Sequence, residues 1–312
     1  MRILVTGGAG FIGSHVVDRF LELGHDVAVL DDLSTGFRTL VNPDARFYEA
    51  DLADAAAVER CVAEFEPEVV DHHAAQIDVR RSVDDPVFDA GTNIIGALRL
   101  LQCCTRHGVH KFVYASTGGA LYGEGRQLPA SEEHPVNPES PNGVSKHTLE
   151  HYLYLWRILH GLDYTVLRYP NVYGPRQNPH GEAGVNAIFV GLMLRGKPPR
   201  IFGTGEQVRD YLYVMDVVEA NERALTRGSG EIVNLGTGIG TSVNDIFREL
   251  KALLDFPGEP LYEAARPGEV QRIYLDATRA RQVLGWTPRV SFRDGLTRTV
   301  EWSRRTGGAP LR

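Results

Sequence analysis

The glycines near the N-terminus are the first residues whose spacing could do chemistry. Thr6-Gly7-Gly8-Ala9-Gly10-Phe11-Ile12-Gly13 follows the apolar run Ile3-Leu4-Val5 and opens a helical pattern from Ile12 to Leu23. Such a stretch makes a phosphate cradle. Gly7 takes the dihedrals of a tight turn, Gly10 lets the backbone approach a pyrophosphate, Gly13 lets helix and strand pack closely, and the helix N-terminus at Phe11 and Ile12 faces the anion. Taken alone, the pattern is also that of a plain glycine-rich turn. The context favours a dinucleotide, because a second apolar strand, Asp26-Val27-Ala28-Val29-Leu30, ends in Asp31, at the distance where a carboxylate meets an adenosine ribose. Further on, Lys146 stands four residues after Asn142 in Ser140-Pro141-Asn142-Gly143-Val144-Ser145-Lys146. Near a helix start, that spacing projects both side chains from one face toward the same ligand.

The elements that must position these groups follow from periodicity. Strand patterns recur at Phe47 to Ala50, Val69 to His72, Phe112 to Ser116 and Tyr164 to Arg168, with helical patterns between them. That alternation predicts an α/β fold with a doubly wound parallel (Rossmann) sheet. Ligands on such sheets sit beyond the carboxyl ends of the strands, so Asp31, Asp51-Leu52, His73 to Gln76 and Ser116-Thr117 should line one crevice. For Asp51 two roles stand open: contact with adenine, or capping of the next helix. Ile94, Ala97, Leu98, Leu101 and Cys104 recur at helical spacing, as do Leu149, Leu153, Trp156 and Leu159. Both helices can pack on the sheet, and their broad apolar faces can also pair with a second copy of the chain, as a homodimer. Beyond Tyr169 the pattern changes to Tyr-Pro-Asn-Val-Tyr-Gly-Pro and shorter elements. Residues 1–170 therefore form the dinucleotide-binding domain, to which the chain returns near 205–230. Residues 171–312 form a second, smaller α+β domain.

At 312 residues and 43% hydrophobic, the chain can bury a full core. Its net charge of -7 argues against a nucleic-acid backbone as the main partner. Cys61, Cys103 and Cys104 lack metal-ligand spacing and read as core. With no basic leader and no apolar run long enough to span a bilayer, the sequence points to a cytoplasmic protein without membrane or metal partners.

The marks Gly7-x-x-Gly10-x-x-Gly13, Asp31, His73-Ala74-Ala75-Gln76, Asn93, Ser116-Thr117, Lys146, Arg168-Tyr169-x-Asn171, Arg209-Asp210-Tyr211 and Arg266-Pro267-Gly268-Glu269 together resemble the extended short-chain dehydrogenases/reductases. Within them, the chain is most similar to the UDP-glucose 4-epimerase (UDP-galactose 4-epimerase) family, and the resemblance runs nearly end to end. It implies bound NAD, held by the glycine cradle with Phe11 and Ile12, by Asp31 and Asp32, by Asp51 and Leu52, by Ala74, Ala75 and Gln76, and by Asn93, Lys146 and Tyr169. A carboxylate at Asp31 would repel a 2'-phosphate and so disfavour NADP. The resemblance also implies a nucleotide sugar, a UDP-hexose, as substrate. Thr117 would bind the sugar's 4-hydroxyl, Asn171, Arg209 and Arg266 would grip the diphosphate, Phe202 would lie on the base, and Glu269 would complete the substrate site. Ordinary alternatives are a surface ion pair for each arginine and a core position for Phe202. The implied reaction removes a proton and a hydride at C4 and returns hydride to the opposite face. Related dehydratases and decarboxylases place an acid after this threonine. Here the loop is Gly118-Gly119-Ala120-Leu121, which favours epimerisation over those reactions; the alternative within enzymes is another NAD-dependent nucleotide-sugar enzyme, such as an epimerase for dTDP-sugars or uronic acids, or a decarboxylase. The loop is one residue longer than the family's usual form, which leaves Ser116 as a competing hydroxyl.

One position departs from the family. Where the resemblance implies the catalytic tyrosine, the chain has Asn142, and an amide has no useful acid–base chemistry near neutral pH. Three accounts compete: a Tyr-to-Asn variant impaired in catalysis, a protein that binds sugar nucleotides without turnover, or a different base. Retention of the other site residues favours the first. By register from Arg266, Ile273 falls where the family limits room at the sugar's C2 substituent, which implies a preference for plain hexoses.

Overall fold

The computed structural model describes residues 1–179, 184–266, 268 and 270–307. Its centre is a sheet of seven strands: β1 (Arg2–Thr6), β2 (Asp26–Asp31), β3 (Arg46–Glu49), β4 (Val69–His72), β5 (Lys111–Thr117), β6 (Asp163–Tyr169) and β7 (Glu231–Asn234). The spatial order is β7-β6-β5-β4-β1-β2-β3, and every pair is parallel. The order reverses between β1 and β4. On an open parallel sheet such a reversal, at the carboxyl ends of the strands, is the usual ligand position.

Side chains alternate across the sheet with period two, so each strand feeds two cores. Ile3, Val5, Val27, Val29, Val69 and Val113 face one way, where Val16, Val17 and Phe20 of α1 (Phe11–Glu22) and Val217, Val218 and Ala224 of a later helix cover them. Leu4, Ala28, Leu30, Val70, Phe112 and Tyr114 face the other way, under α2 (Ala55–Phe65), α3 (Ala97–Arg106) and α4 (Pro141–His160). The covering helix of the first face, α5 (Val214–Ala224), leads directly into β7. The strand periodicity described above yields only six strands. The seventh, Glu231-Ile232-Val233-Asn234, is short and lies beyond the change of pattern, where nothing local marks it as a neighbour of β6.

Asp51 does not cap α2. That cap is Asp54, whose side chain accepts from Ala56 N and Ala57 N, while Asp51 accepts from Ala53 N at 2.8 Å and shapes the turn leading in. The stretch Asp-Leu-Ala-Asp offers two capping candidates, and the helix starts after the second.

Beyond β6 the chain makes paired short strands: 171–173 with 211–213, 200–202 with 261–263, and 208–209 with 241–242 and 272–273. A third core, including Tyr173, Phe189, Val190, Ile201, Ile246, Leu250 and Leu296, holds this region together. Among the described residues, no helix is long and apolar enough to cross a membrane.

Candidate active site

The cradle between β1 and α1 is shaped by contacts that exclude any side chain. Gly7 has φ of +72°, and a Cβ there would lie 2.6 Å from Ala74 N. A Cβ on Gly13 would lie 2.3 Å from Gly7 O, so helix and turn are in direct backbone contact. Gly10 precedes α1 in extended conformation, with no side-chain cap and no acidic residue in the first turn. The positive end of this helix is thus left for an anion from outside the protein. Asp31 closes the cradle at the end of β2. Its two oxygens accept from Ala9 N at 3.0 Å and Leu33 N at 2.9 Å. Burial pushes its pKa up, and those two N–H groups pull the other way. Neighbouring Asp32 is exposed and accepts from Ser34 N and Oγ, so it shapes a turn at the rim. Asp51 is exposed on the same edge, with Leu52 buried beneath it. Ala74 and Ala75, half-buried, continue from the end of β4.

A buried amide network floors the crevice. Asn93 lies in a π-helical turn, Gly91–Gly96, a distortion that recurs at functional sites. Its side chain accepts from Gln76 N at 2.8 Å and donates to Gln76 O at 2.9 Å and to Asp89 Oδ1 at 3.1 Å. The Gln76 side chain donates to Asp78 O and Asp89 Oδ1 and accepts from Asp78 N. Both residues therefore use their polar groups to fix the loop after β4. Ser145 joins through Asp89 Oδ2 at 2.5 Å. Asn142 completes the set, its Nδ2 donating to Gln76 O at 2.8 Å and its backbone N to Ser82 Oγ at 3.3 Å.

Ser140 caps α4 by accepting from Gly143 N, and Pro141 follows at the first helical position, which sets Asn142 and Lys146 on successive turns. Lys146 Nζ donates to Ala115 O at 2.9 Å and lies 5.1 Å from the Tyr114 ring centre. Burial pushes its ammonium pKa down to about 8, against the pull of Asp89 and Glu150. On β5 the two hydroxyls part company. Ser116 Oγ donates to Glu150 Oε1 at 2.6 Å and belongs to a closed cluster in which Arg168 bridges Glu150 and Tyr122 OH, and Tyr122 OH donates to Asn234 Oδ1. Thr117 points the other way and is half-buried, and its hydroxyl accepts from Ala120 N at 3.2 Å. Its O–H is left to act as a donor. Tyr122 is a poor substitute base, because burial raises its pKa and Arg168 and Asn234 already occupy its hydroxyl.

On the far wall, Asn171 is exposed, with its Oδ1 facing Gly119, and its backbone N donates to Asp210 O. The Arg266 guanidinium lies 3.9 Å from the centre of the Phe202 ring. Arg209, on a short strand beside Arg272 and Ile273, donates to Val208 O at 3.0 Å. Tyr169 turns its phenol away to Asn221 of α5 at 3.0 Å. Ile273 is buried with Leu121, Tyr122 and Leu275. Glu269 lies outside the described residues. Sequence alone did not single out Glu150 or Asp89, and it gave Asp210 only as part of the Arg209-Asp210-Tyr211 mark, without a role; these are the carboxylates that hold the loops. Asp210 accepts from Thr237 N and Oγ1, Gly238 N and Leu275 N. The partners of Glu150 and Asp210 lie mostly far off in the chain, as with Ser116 and Leu275.

Sheet order, cradle and the Lys146 helix define an enzyme of the dinucleotide-binding Rossmann class. Within that class the chain belongs to the NAD dependent epimerase/dehydratase family, which it matches over residues 3–236. It is 47% identical to the UDP-glucose 4-epimerase of Mycolicibacterium smegmatis, over 97% of this chain and 99% of that one. Its fold superposes with TM-score 0.96 on the UDP-glucose 4-epimerase of Thermotoga maritima solved with UDP-glucose, at 51% identity, covering 98% of this chain and 99% of that one. The Thermus thermophilus UDP-glucose 4-epimerase in complex with NAD gives a TM-score of 0.93 at 44% identity, covering 97% and 99%. NAD is the cofactor of this family, and the uncapped helix with its side-chain-free cradle and Asp31 fit it.

Proposed function

We propose that this chain is a nucleotide-sugar 4-epimerase scaffold for UDP-glucose and UDP-galactose, impaired in catalysis by Asn142. The observation that supports this reading is that Lys146 reaches Ala115 O of β5 and Asn142 reaches Gln76 O beyond β4, with Thr117 at the end of β5, on a sheet whose glycine cradle leaves no room for side chains. When bound, NAD supplies a reversible hydride acceptor for C4 of the sugar. Gly7, Gly10, Gly13 and the start of α1 would hold its diphosphate, Asp31 its adenosine ribose, and Lys146 its nicotinamide ribose. Thr117 orients the 4-hydroxyl by donating or accepting a hydrogen bond. The loop Gly118 to Leu121 adds no acid, so a keto sugar formed there would keep its carbon skeleton and be free to turn over. Asn171, Arg209 and Arg266 bind the substrate diphosphate, and Phe202 takes the base, from which Arg266 must yield part of its stacked contact. Asn142 occupies the proton-transfer position and can only hold a hydrogen bond there.

This reading also divides the chain, assigning residues 1–170 with the return near 205–230 to the cofactor and 171–312 to the nucleotide sugar. It pairs two copies through α3 and α4. Support comes from Tyr154, Leu155, Ile158 and Leu159 on α4, which remain exposed at 59%, 40%, 61% and 62%. Thermal denaturation with a panel of nucleotide sugars tests the substrate. UDP-glucose and UDP-galactose should raise the melting temperature more than dTDP-glucose, UDP-glucuronate or UDP-N-acetylglucosamine do. A larger shift from one of the others would reassign the substrate.

A further inference from the structure

One buried carboxylate draws together the wall to which Arg209 and Asn171 belong. Asp210 is 2% exposed and directly follows the middle strand of a three-stranded sheet, where Arg209 is in register with Thr241 on one side and Ile273 on the other. Its Oδ2 accepts from Thr237 N at 3.0 Å, Gly238 N at 3.2 Å and Leu275 N at 3.1 Å, and its Oδ1 accepts from Thr237 Oγ1 at 2.6 Å. Thr237 and Gly238 lead into one flanking strand, and Leu275 leaves the other. A single side chain thus fastens both neighbours to the strand that carries Arg209. The backbone O of Asp210 accepts from Asn171 N at 3.0 Å, which ties in the strand Asn171–Tyr173.

Leu275 extends this hold to the loop after Thr117. A Cβ on Gly118 would lie 2.4 Å from Leu275 Cδ1, and a Cβ on Gly119 would lie 3.5 Å from Asn171 Oδ1. Both glycines of that loop therefore lie against segments that Asp210 fixes. A buried polar group satisfied on every side specifies one arrangement of the segments around it. Its oxygens are taken up by these donors, so Asp210 acts through its neighbours.

We infer that Asp210 is a positioning residue for the substrate, which sets the spacing of Arg209 and Asn171 for a nucleoside diphosphate and seats their wall on Gly118. The inference rests on reading Arg209 and Asn171 as diphosphate ligands. The glycine cradle lies on other elements, so NAD should be spared. Calorimetric titration of the holoprotein with UDP, with NAD content measured by release on denaturation, tests it in the parent, Asp210→Ala, Asp210→Asn, Thr237→Val and Arg209→Ala. Asp210→Ala strands three buried N–H groups and should bind UDP at least about tenfold more weakly, with NAD content unchanged. Thr237→Val removes one hydroxyl from a half-buried residue and should weaken UDP binding about three- to fivefold, which keeps the test decisive if Asp210→Ala does not fold. Asp210→Asn can turn its carbonyl oxygen to the three N–H groups and its amide to Thr237 Oγ1, so it should stay within about twofold of the parent. Parent-like UDP affinity in Asp210→Ala and Thr237→Val, alongside a loss in Arg209→Ala, would overturn the positioning role alone. So would a loss in Asp210→Asn as large as in Asp210→Ala, or loss of NAD in step with UDP. No UDP binding by the parent, or none lost in Arg209→Ala, would overturn the diphosphate reading and this inference with it.

Discussion

Lys146 buries an ammonium group whose close acceptor is a backbone carbonyl, and that arrangement makes stability depend on pH. The group titrates near 10.5 when free and is pushed down to about 8 by burial. Between those values the unfolded chain binds a proton that the folded chain does not, so stability rises with pH across the window. Below about pH 8 both states carry the proton and the full cost of burial is felt. Relative to Lys146→Met at matched cofactor content, the parent should therefore gain on the order of 3 kcal/mol on going from pH 8 to 10.5. Urea unfolding of both proteins would measure it, and a pH-independent difference would contradict the burial argument. Glu150 offers a second check. Removing it in Glu150→Ala strands the Arg168 guanidinium, 5% exposed at its side chain, and should cost roughly 3–5 kcal/mol. Asp31 and Lys146 were legible in the sequence because each belongs to a short local pattern. Glu150 was not, since its partners Ser116 and Arg168 are 34 and 18 residues away.

Helix α1 shows how a local rule is overridden by packing. Alanine inside a helix is normally about 0.5–1 kcal/mol better than glycine. At Gly13 the added Cβ would lie 2.3 Å from Gly7 O, a backbone atom that cannot swing away. Gly13→Ala should instead destabilise the protein by about 1–3 kcal/mol and weaken NAD binding, because the helix must back off the cradle. Denaturant midpoints and NAD titration test both effects, and a stabilised variant with unchanged NAD affinity would refute the close-packing account. The strand and helix alternation was readable because each element from β1 to β6 carries its own apolar period. The start of α2 is ambiguous in sequence between two acids three residues apart, and β7 escapes notice because its place at the sheet edge depends on pairing with β6.

For the whole molecule, the exposed apolar residues of α4 make association the expected state. Light scattering at micromolar concentration should give twice the chain mass of 34.5 kDa, and a clean monomer would remove the paired-helix proposal. The central claim concerns turnover. The fold and the side-chain-free cradle are in place, yet the residue proposed to stand where the proton moves is an amide held to Gln76 O. Single-turnover conversion of UDP-galactose to UDP-glucose, with sugar-nucleotide binding measured separately, should be compared for the chain as written and for Asn142→Tyr. The substitution should raise the rate by about 10² to 10⁴ with little change in affinity. Equal rates in the two proteins would mean that another group already moves the proton, and would contradict this account.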